Sequence, residues 1–398
     1  MNSLKERIKA LSAEYLEEVI GYRRHFHRHP ELSFKEFETA AFIAARLSEF
    51  SIPFEEKVAK TGIVALIKGK DAESKSVALR ADMDALPILE KNTHEYCSQT
   101  EGVMHACGHD AHMACLLGAA RVLNEVKNDF SGTIKLIFQP SEESYPGGAK
   151  VMIEEGVLEN PAPQSIFGQH VFPELEAGFI GMRPGKYMAS TDEVFITVKG
   201  KGGHAAIPDK VIDPILIASH IVVAMQQVVS RKSSPVMPTV VSFGKIHGDG
   251  KTNVIPDEVK LEGIIRTFDS SWREEIKEQI KKIACGIAES MGGSCDIFID
   301  QGYPAVVNDE ALTNRTWDYA VEYLGEEKVK ALEMRMTAED FSYFAQKIPG
   351  CFFRLGTRNE EKNIISNLHS ASFDIDETSL ETGLGIMAWL AVRELSGS

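Results

Sequence analysis

The sequence predicts an α/β protein built on a mixed, mostly parallel sheet flanked by helices, with an inserted ferredoxin-like α+β domain. Three observations carry this reading. Helical and β-branched segments alternate in the first half and again near the end, a β-α-β-β-α-β run interrupts them, and 398 residues exceed the size at which one core usually stops growing.

The elements follow in order. MNSLKERIKALSAEYLEEVI carries charges throughout and reads as an amphipathic helix, without the apolar core of a signal peptide. TAAFIAARLSEF reads as a helix, GIVALIKG and SVALRADMDAL as strands, MACLLGAARVLNEV as a helix and GTIKLIFQP as a strand. Near Pro184-Gly185 the pattern changes to strand (DEVFITVKG), helix (DPILIASHIVVAMQQVV), strand (TVVSFGKIHG), strand (VKLEGIIRTF), helix (WREEIKEQIKKIACGIAESM) and strand (CDIFIDQG). After Tyr303-Pro304 the alternation resumes with VNDEALTNRTWDYAVEYL, AEDFSYFAQKI, CFFRLGT and a final helix around ETGLGIMAWLAVREL. The expected division is a catalytic domain of residues 1–184 and 302–398 and an inserted lid or dimerisation domain of residues 185–301.

Composition narrows the function. With 43% hydrophobic and 25% charged residues the chain has the make-up of an ordinary soluble protein. A formal charge of -15 without any basic run argues against a nucleic-acid partner. No stretch approaches the roughly 20 apolar residues that a membrane span needs. Six cysteines spread over so long a chain make a poor disulfide framework, so a reducing cytoplasm is the expected compartment.

Ligands of open α/β sheets sit beyond the carboxyl ends of strands, and four segments fit that location. Met104-His105-Ala106-Cys107-Gly108-His109-Asp110-Ala111-His112 is a dense cluster of metal-ligand types just before a helix; a thiolate and an imidazole two residues apart on a Gly-containing turn can both face one ion. Read alone, a buried Cys and an Asp opening a helix explain it as well. Gln139-Pro140-Ser141-Glu142-Glu143 follows the strand GTIKLIF, and adjacent carboxylates in a pocket call for a cation, although a solvated acidic turn is the bland alternative. His170 in SIFGQHV and His369 in NLHSASF are each, singly, more often structural than ligating. All four fall on one presumed sheet edge. Cys107, His109, Glu143, His170 and His369 together make too many ligands for one catalytic metal with an open position, and suit two ions sharing a bridging group.

These motifs carry a family resemblance. ADMDALP, MHACGHDAH, QPSEE, the His170 segment, KGGHAAIP, TNVIPDEV and LHSASF, in this order, resemble the bacterial and plant amidohydrolase branch of the di-metal M20 peptidase clan, which includes hippurate hydrolases, N-acetylamino-acid deacetylases and auxin-conjugate hydrolases. The resemblance implies a metallo-amidohydrolase acting on small N-acyl amino acids, with Cys107, His109, Glu143, His170 and His369 as ligands of two divalent ions and Glu142 as the catalytic base. It implies that Asp84 orients a ligand, that His204 reaches the site of a partner subunit in a homodimer or higher homo-oligomer to polarise the carbonyl, and that Asn253 and Arg266 bind the substrate carboxylate. A mixed Cys, His and Glu set suits Zn, Mn, Co or Ni.

The chain departs from the pattern twice. Asp82-Met83-Asp84 stands where related aminopeptidases have His-x-Asp, so the usual first His ligand is missing and His109 and Cys107 are expected to compensate. Ala371 replaces the usual Pro after the His-Ser of the last motif.

Other readings carry less. Gly200-Lys201-Gly202-Gly203-His204-Ala205 has the form of a dinucleotide fingerprint, but Pro208 interrupts the required helix and no acid lies about 20 positions later. No G-x-S-x-G elbow or H-E-x-x-H helix is present. His25, His27 and His29 read as structural or loop residues, and Glu339-Asp340-Phe341 as a pocket-facing segment or an acidic first helical turn. A dipeptidase or carboxypeptidase of the same clan, or an inactive metal-stabilised binding protein, are the alternatives.

Overall fold

Strands buried on both faces read as nearly continuous apolar runs, and the centre of the larger sheet is built this way apart from Arg80 and Lys135. In the computed structural model, which describes residues 1–397, its strands are β1 (Phe54–Val58), β2 (Gly62–Lys68), β3 (Ser76–Asp82), β4 (Thr133–Gln139), β5 (Ser165–Glu176), β6 (Ile180–Met182), β7 (Val329–Ala331) and β8 (Gly350–Arg358). Every residue of β3 and β4 is buried. The spatial order is β1-β2-β4-β3-β5-β8-β6-β7. The central pairs β4–β3, β3–β5 and β5–β8 are parallel, while β1–β2, β2–β4 and β8–β6 are antiparallel. The fold class is therefore the mixed, mostly parallel α/β sheet expected.

Three helices cover one face and pack on one another: α1 (Asn2–Arg28), α2 (His109–Glu125) and α3 (Ser379–Ser396). The amphipathic amino-terminal segment thus becomes α1, burying Ile8, Val19 and Phe26. The third helix is buried along most of its length, and Trp389 Nε1 donates to the Tyr319 carbonyl at 3.0 Å.

A second compact unit comprises Met188–Val306 together with Met334–Glu339. Its division differs from residues 185–301 by the displaced ends and by the later segment, which joins through Ala189 N–H bonds to the Arg335 and Thr337 carbonyls. Its sheet runs in the order Thr239–His247, Glu258–Thr267, Asp192–Lys199, Ser294–Gln301, antiparallel throughout. Helices Pro214–Gln227 and Ser270–Ser290 pack with these strands, giving the β-α-β-β-α-β order, and Asp213 and Asp269 cap them.

One sequence expectation needs correction. The helical run Pro214–Lys232, 19 residues with a mean hydropathy of 1.2, is long and apolar enough to cross a membrane by length and composition. Its charged residues, Arg231 and Lys232, stand only at the end, and its other polar residues, among them Ser219, His220 and Gln226, break the apolar run without lowering its average enough. Ile217, Ala218, Ile221, Met225 and Val228 belong to the smaller unit's core.

Charge as well as apolar surface joins α1 to α2. The buried Arg23 gives Nε to Asp110 Oδ2 at 2.8 Å and Nη2 to Asp374 Oδ1 at 2.7 Å. His27, the buried member of the early histidine trio, lies between Asp110 Oδ2 (2.7 Å) and Glu90 Oε1 (3.1 Å). Burial pushes the Glu90 carboxyl up, but the His27 and Ser98 N–H donors outweigh it and hold it at about 2, below the ordinary 4.5. A carboxyl held down in this way stabilises the fold above its unfolded value and ceases to do so as the pH falls through its folded value. Unfolding followed against pH should therefore show stability falling between about pH 4.5 and 2, and Glu90→Gln should flatten that slope; an unchanged slope would mean that Glu90 is not held by this network.

Candidate metal and catalytic centre

Parallel pairing delivers the polar residues to one edge. Asp82 at the end of β3 is in register with Gln139 at the end of β4, and His170 on β5 with Arg354 on β8. The loop that opens α2 turns at Gly108, whose φ of +82° lies in the left-handed region and where a Cβ would collide with Val171. This turn lets Cys107 and His109 face the same edge. His369 arrives from the far end of the chain, its N–H bonded to the Ala106 carbonyl at 2.8 Å.

The ligand-type atoms converge. Those of Cys107, His109 and His170 lie within 4.8 Å of one another, as do those of Cys107, Glu143 and His369 and those of His109, Glu142 and Glu143. Cys107 Sγ is 3.5 Å from His170 Nε2, and His369 Nε2 is 3.2 Å from Glu143 Oε1. His170 Nδ1 donates to the Val171 carbonyl at 2.8 Å, which leaves Nε2 as the atom facing the cluster. His369 is half-exposed, whereas Cys107, His109, Glu142 and His170 are buried.

The electrostatics call for a cation. Both ring nitrogens of His109 are buried without a hydrogen-bond partner, although Nδ1 is 3.4 Å from Asp84 Oδ1 and Nε2 is 3.7 Å from Asp82 Oδ2. Unsatisfied buried polar atoms cost about 1–3 kcal/mol each, and coordination relieves that cost. Burial disfavours the His109 cation, but Asp82 and Asp84 outweigh it and raise its pKa to about 10. Burial, with Glu143 and Glu142 nearby, pushes the Cys107 thiol well up, and burial beside Arg354 pushes His170 well down. Anionic and neutral donors gathered in this way fit a divalent ion.

Asp84 holds the acidic pair by its backbone. It accepts the Glu142 N–H at 2.9 Å on Oδ1, and on Oδ2 the Glu143 N–H at 3.0 Å and the Ser33 hydroxyl at 2.6 Å. On the other side the Asp340 N–H reaches Glu142 Oε1 at 3.4 Å.

Comparison with known proteins decides the family. Residues 78–393 match the model of peptidase family M20/M25/M40. The chain belongs to that family. It is 41% identical over 394 residues to the thermostable carboxypeptidase 2 of Saccharolobus solfataricus, covering 98% of both chains. It is 40% identical over 381 residues to the N-acetyl-L-cysteine deacetylase of Bacillus subtilis, covering 95% of this chain and 88% of that one. The crystal structure of a dinuclear metal-binding peptidase of the family from Bacillus subtilis superposes with a TM-score of 0.81 at 35% identity, covering 96% and 99% of the two chains. As an M20 protein the chain is an enzyme, a metal-dependent hydrolase of linear amides.

The larger unit of this M20 hydrolase thus brings together Asp84, Cys107, His109, Glu142, Glu143, His170 and His369. Asn253, Arg266 and His204 lie in the smaller unit. His204 is exposed on a two-residue strand, Gly203–His204, paired with Val254–Ile255, and the Ala205 N–H bonds to the Asn253 carbonyl at 3.0 Å.

Sequence reasoning missed the groups behind the ligands. Asp82 accepts from Arg80 Nη1 at 2.7 Å and from His112 Nδ1 at 2.5 Å, while His112 Nε2 accepts the Val171 N–H at 2.8 Å. Both His112 nitrogens are therefore engaged, Nδ1 by Asp82 and Nε2 by the Val171 amide. Buried Arg80 also reaches Gln139 Oε1 (2.7 Å) and Asp340 Oδ1 (2.8 Å), and Asp340 Oδ2 accepts the Ala149 N–H at 3.0 Å. The available signal was an arginine inside the apolar strand SVALRAD, since a buried guanidinium demands anionic partners.

Asp84→Asn tests the clasp. The amide nitrogen would face a backbone N–H, leaving a buried donor without its acceptor at a cost of about 1–3 kcal/mol. Urea unfolding should register that loss, and wild-type stability would contradict the arrangement.

Proposed function

We propose that the protein hydrolyses the amide bond of N-acyl amino acids, of the hippurate or N-acetyl type, with Glu142 as general base. The observation that carries this is the buried Glu142 carboxylate, one oxygen of which lies within 4.8 Å of a ligand-type atom of His109 and of Glu143. Cys107, His109, Glu143, His170 and His369 would hold two divalent ions drawn from Zn, Mn, Co or Ni. Such ions, when bound, acidify water and polarise a carbonyl.

The chain's own groups do the rest. Glu142 takes a proton from water as the water oxygen bonds to the carbonyl carbon, and returns it to the nitrogen as the C–N bond breaks, giving a carboxylic acid and a free amino acid. Asp84 holds its backbone N–H, and the Asp340 N–H reaches its carboxylate. Arg266 and Asn253 take the substrate carboxylate, for which a planar guanidinium is suited. His204, exposed on its short strand, serves the site of a second copy in a homodimer, stabilising the carbonyl oxygen as it gains charge. All six cysteines are free, which suits a cytoplasmic enzyme.

The likeness to a carboxypeptidase favours a second reading, in which the acyl group is itself an aminoacyl residue. Both substrates release an amino acid with a free carboxylate. Rates on hippurate, N-acetyl amino acids and dipeptides distinguish the two.

Glu142→Gln should abolish turnover with metal content unchanged; more than a tenth of the wild-type kcat would remove Glu142 from the role of base. Chelation should likewise abolish activity, and Zn, Mn, Co or Ni should restore it. Mixing inactive His204→Ala and Glu142→Gln proteins should regenerate part of the activity, since some mixed dimers carry one intact site. No recovery would argue against a shared site.

A further inference from the structure

Glu36 is fully buried in the larger unit, and no part of the mechanism uses it. Its Oε1 accepts the Phe34 N–H and the Ser141 N–H, both at 2.9 Å, and its Oε2 accepts the Thr61 hydroxyl at 2.7 Å. Ser141 stands at φ +50°, in the left-handed region that non-glycine residues avoid at a cost of about 1–2 kcal/mol. Its carbonyl accepts the Gly148 N–H at 2.8 Å. The amides of Ser141, Glu142 and Glu143 therefore all end on buried carboxylates, the first on Glu36 and the next two on Asp84. Ser33, three residues before Glu36, steadies Asp84 through its hydroxyl, so the short Ser33–Glu36 turn reaches the acidic pair along both routes.

We infer that Glu36 is a positioning residue: by holding Ser141 in its left-handed conformation it fixes where the Glu142 carboxylate points. This rests on Glu142 being the base. A catalytic group displaced by about 1 Å can lose on the order of 100-fold in rate without changing what binds.

The test reads kcat against KM on an N-acyl amino acid such as hippurate. Glu36→Ala should lower kcat by about 10- to 100-fold, with KM and bound metal within about twofold of wild type. Glu36→Gln should restore most of the rate, because its carbonyl can accept both amides while its NH2 donates to Thr61. Should the Ala protein not fold, Glu36→Asp serves instead, its shorter side chain falling short of Ser141. In a Glu142→Gln background the same change should have no further effect on the residual rate. A kcat within twofold of wild type, a loss shared equally by KM, or an undiminished effect in that background would each overturn the role of Glu36. High activity of Glu142→Gln alone would instead overturn Glu142 as base, and the two failures are thus told apart.

Discussion

The catalytic edge of this protein depends on how its buried carboxylates are compensated. Asp82, Asp84 and Glu142 meet at the ends of parallel strands, where low dielectric makes mutual repulsion strong and an unpaired charge expensive. Arg80 offsets Asp82 and Asp340, and backbone amides offset Asp84 from the side of the loop it organises. The balance left over lies where Cys107, His109, Glu143, His170 and His369 converge, the residues proposed to hold the divalent cations.

This compensation also gives several side chains of the centre fixed partners. His170 donates to the Val171 carbonyl, Asp84 holds the backbone of the acidic pair, and His112 lies between Asp82 and the Val171 amide. Partners of this kind set ring orientation and tautomer, and through them the geometry of the site. The helices α1, α2 and α3 pack on one another, and Arg23 and His27 tie α1 to the residue that follows His109.

The smaller unit obeys different rules. Its antiparallel sheet buries one face under two capped helices, and it carries its own core. It presents His204 and Asn253 on a short exposed ribbon. Residues that recognise a substrate can be displayed in this way, whereas residues that must share a metal need the fixed spacing of a buried sheet edge.

The sequence by itself determined the alternation that makes the parallel sheet, the β-α-β-β-α-β insertion and the identity of the ligand-type residues, because periodicity, turn residues and the side-chain chemistry of Cys, His and Glu are local properties. The motif resemblance added the expected roles of Glu142, His204, Asn253 and Arg266. Only the tertiary structure decided which polar groups stand behind the ligands. Arg80, Asp82, His112, Asp340 and Glu36 act on residues distant in sequence, and nothing in a linear pattern tells that Glu36 meets Ser141 or that Asp340 meets Gln139. The boundary between the units shifted for the same reason, as Met334–Glu339 joins the smaller unit by backbone bonds that no local pattern encodes.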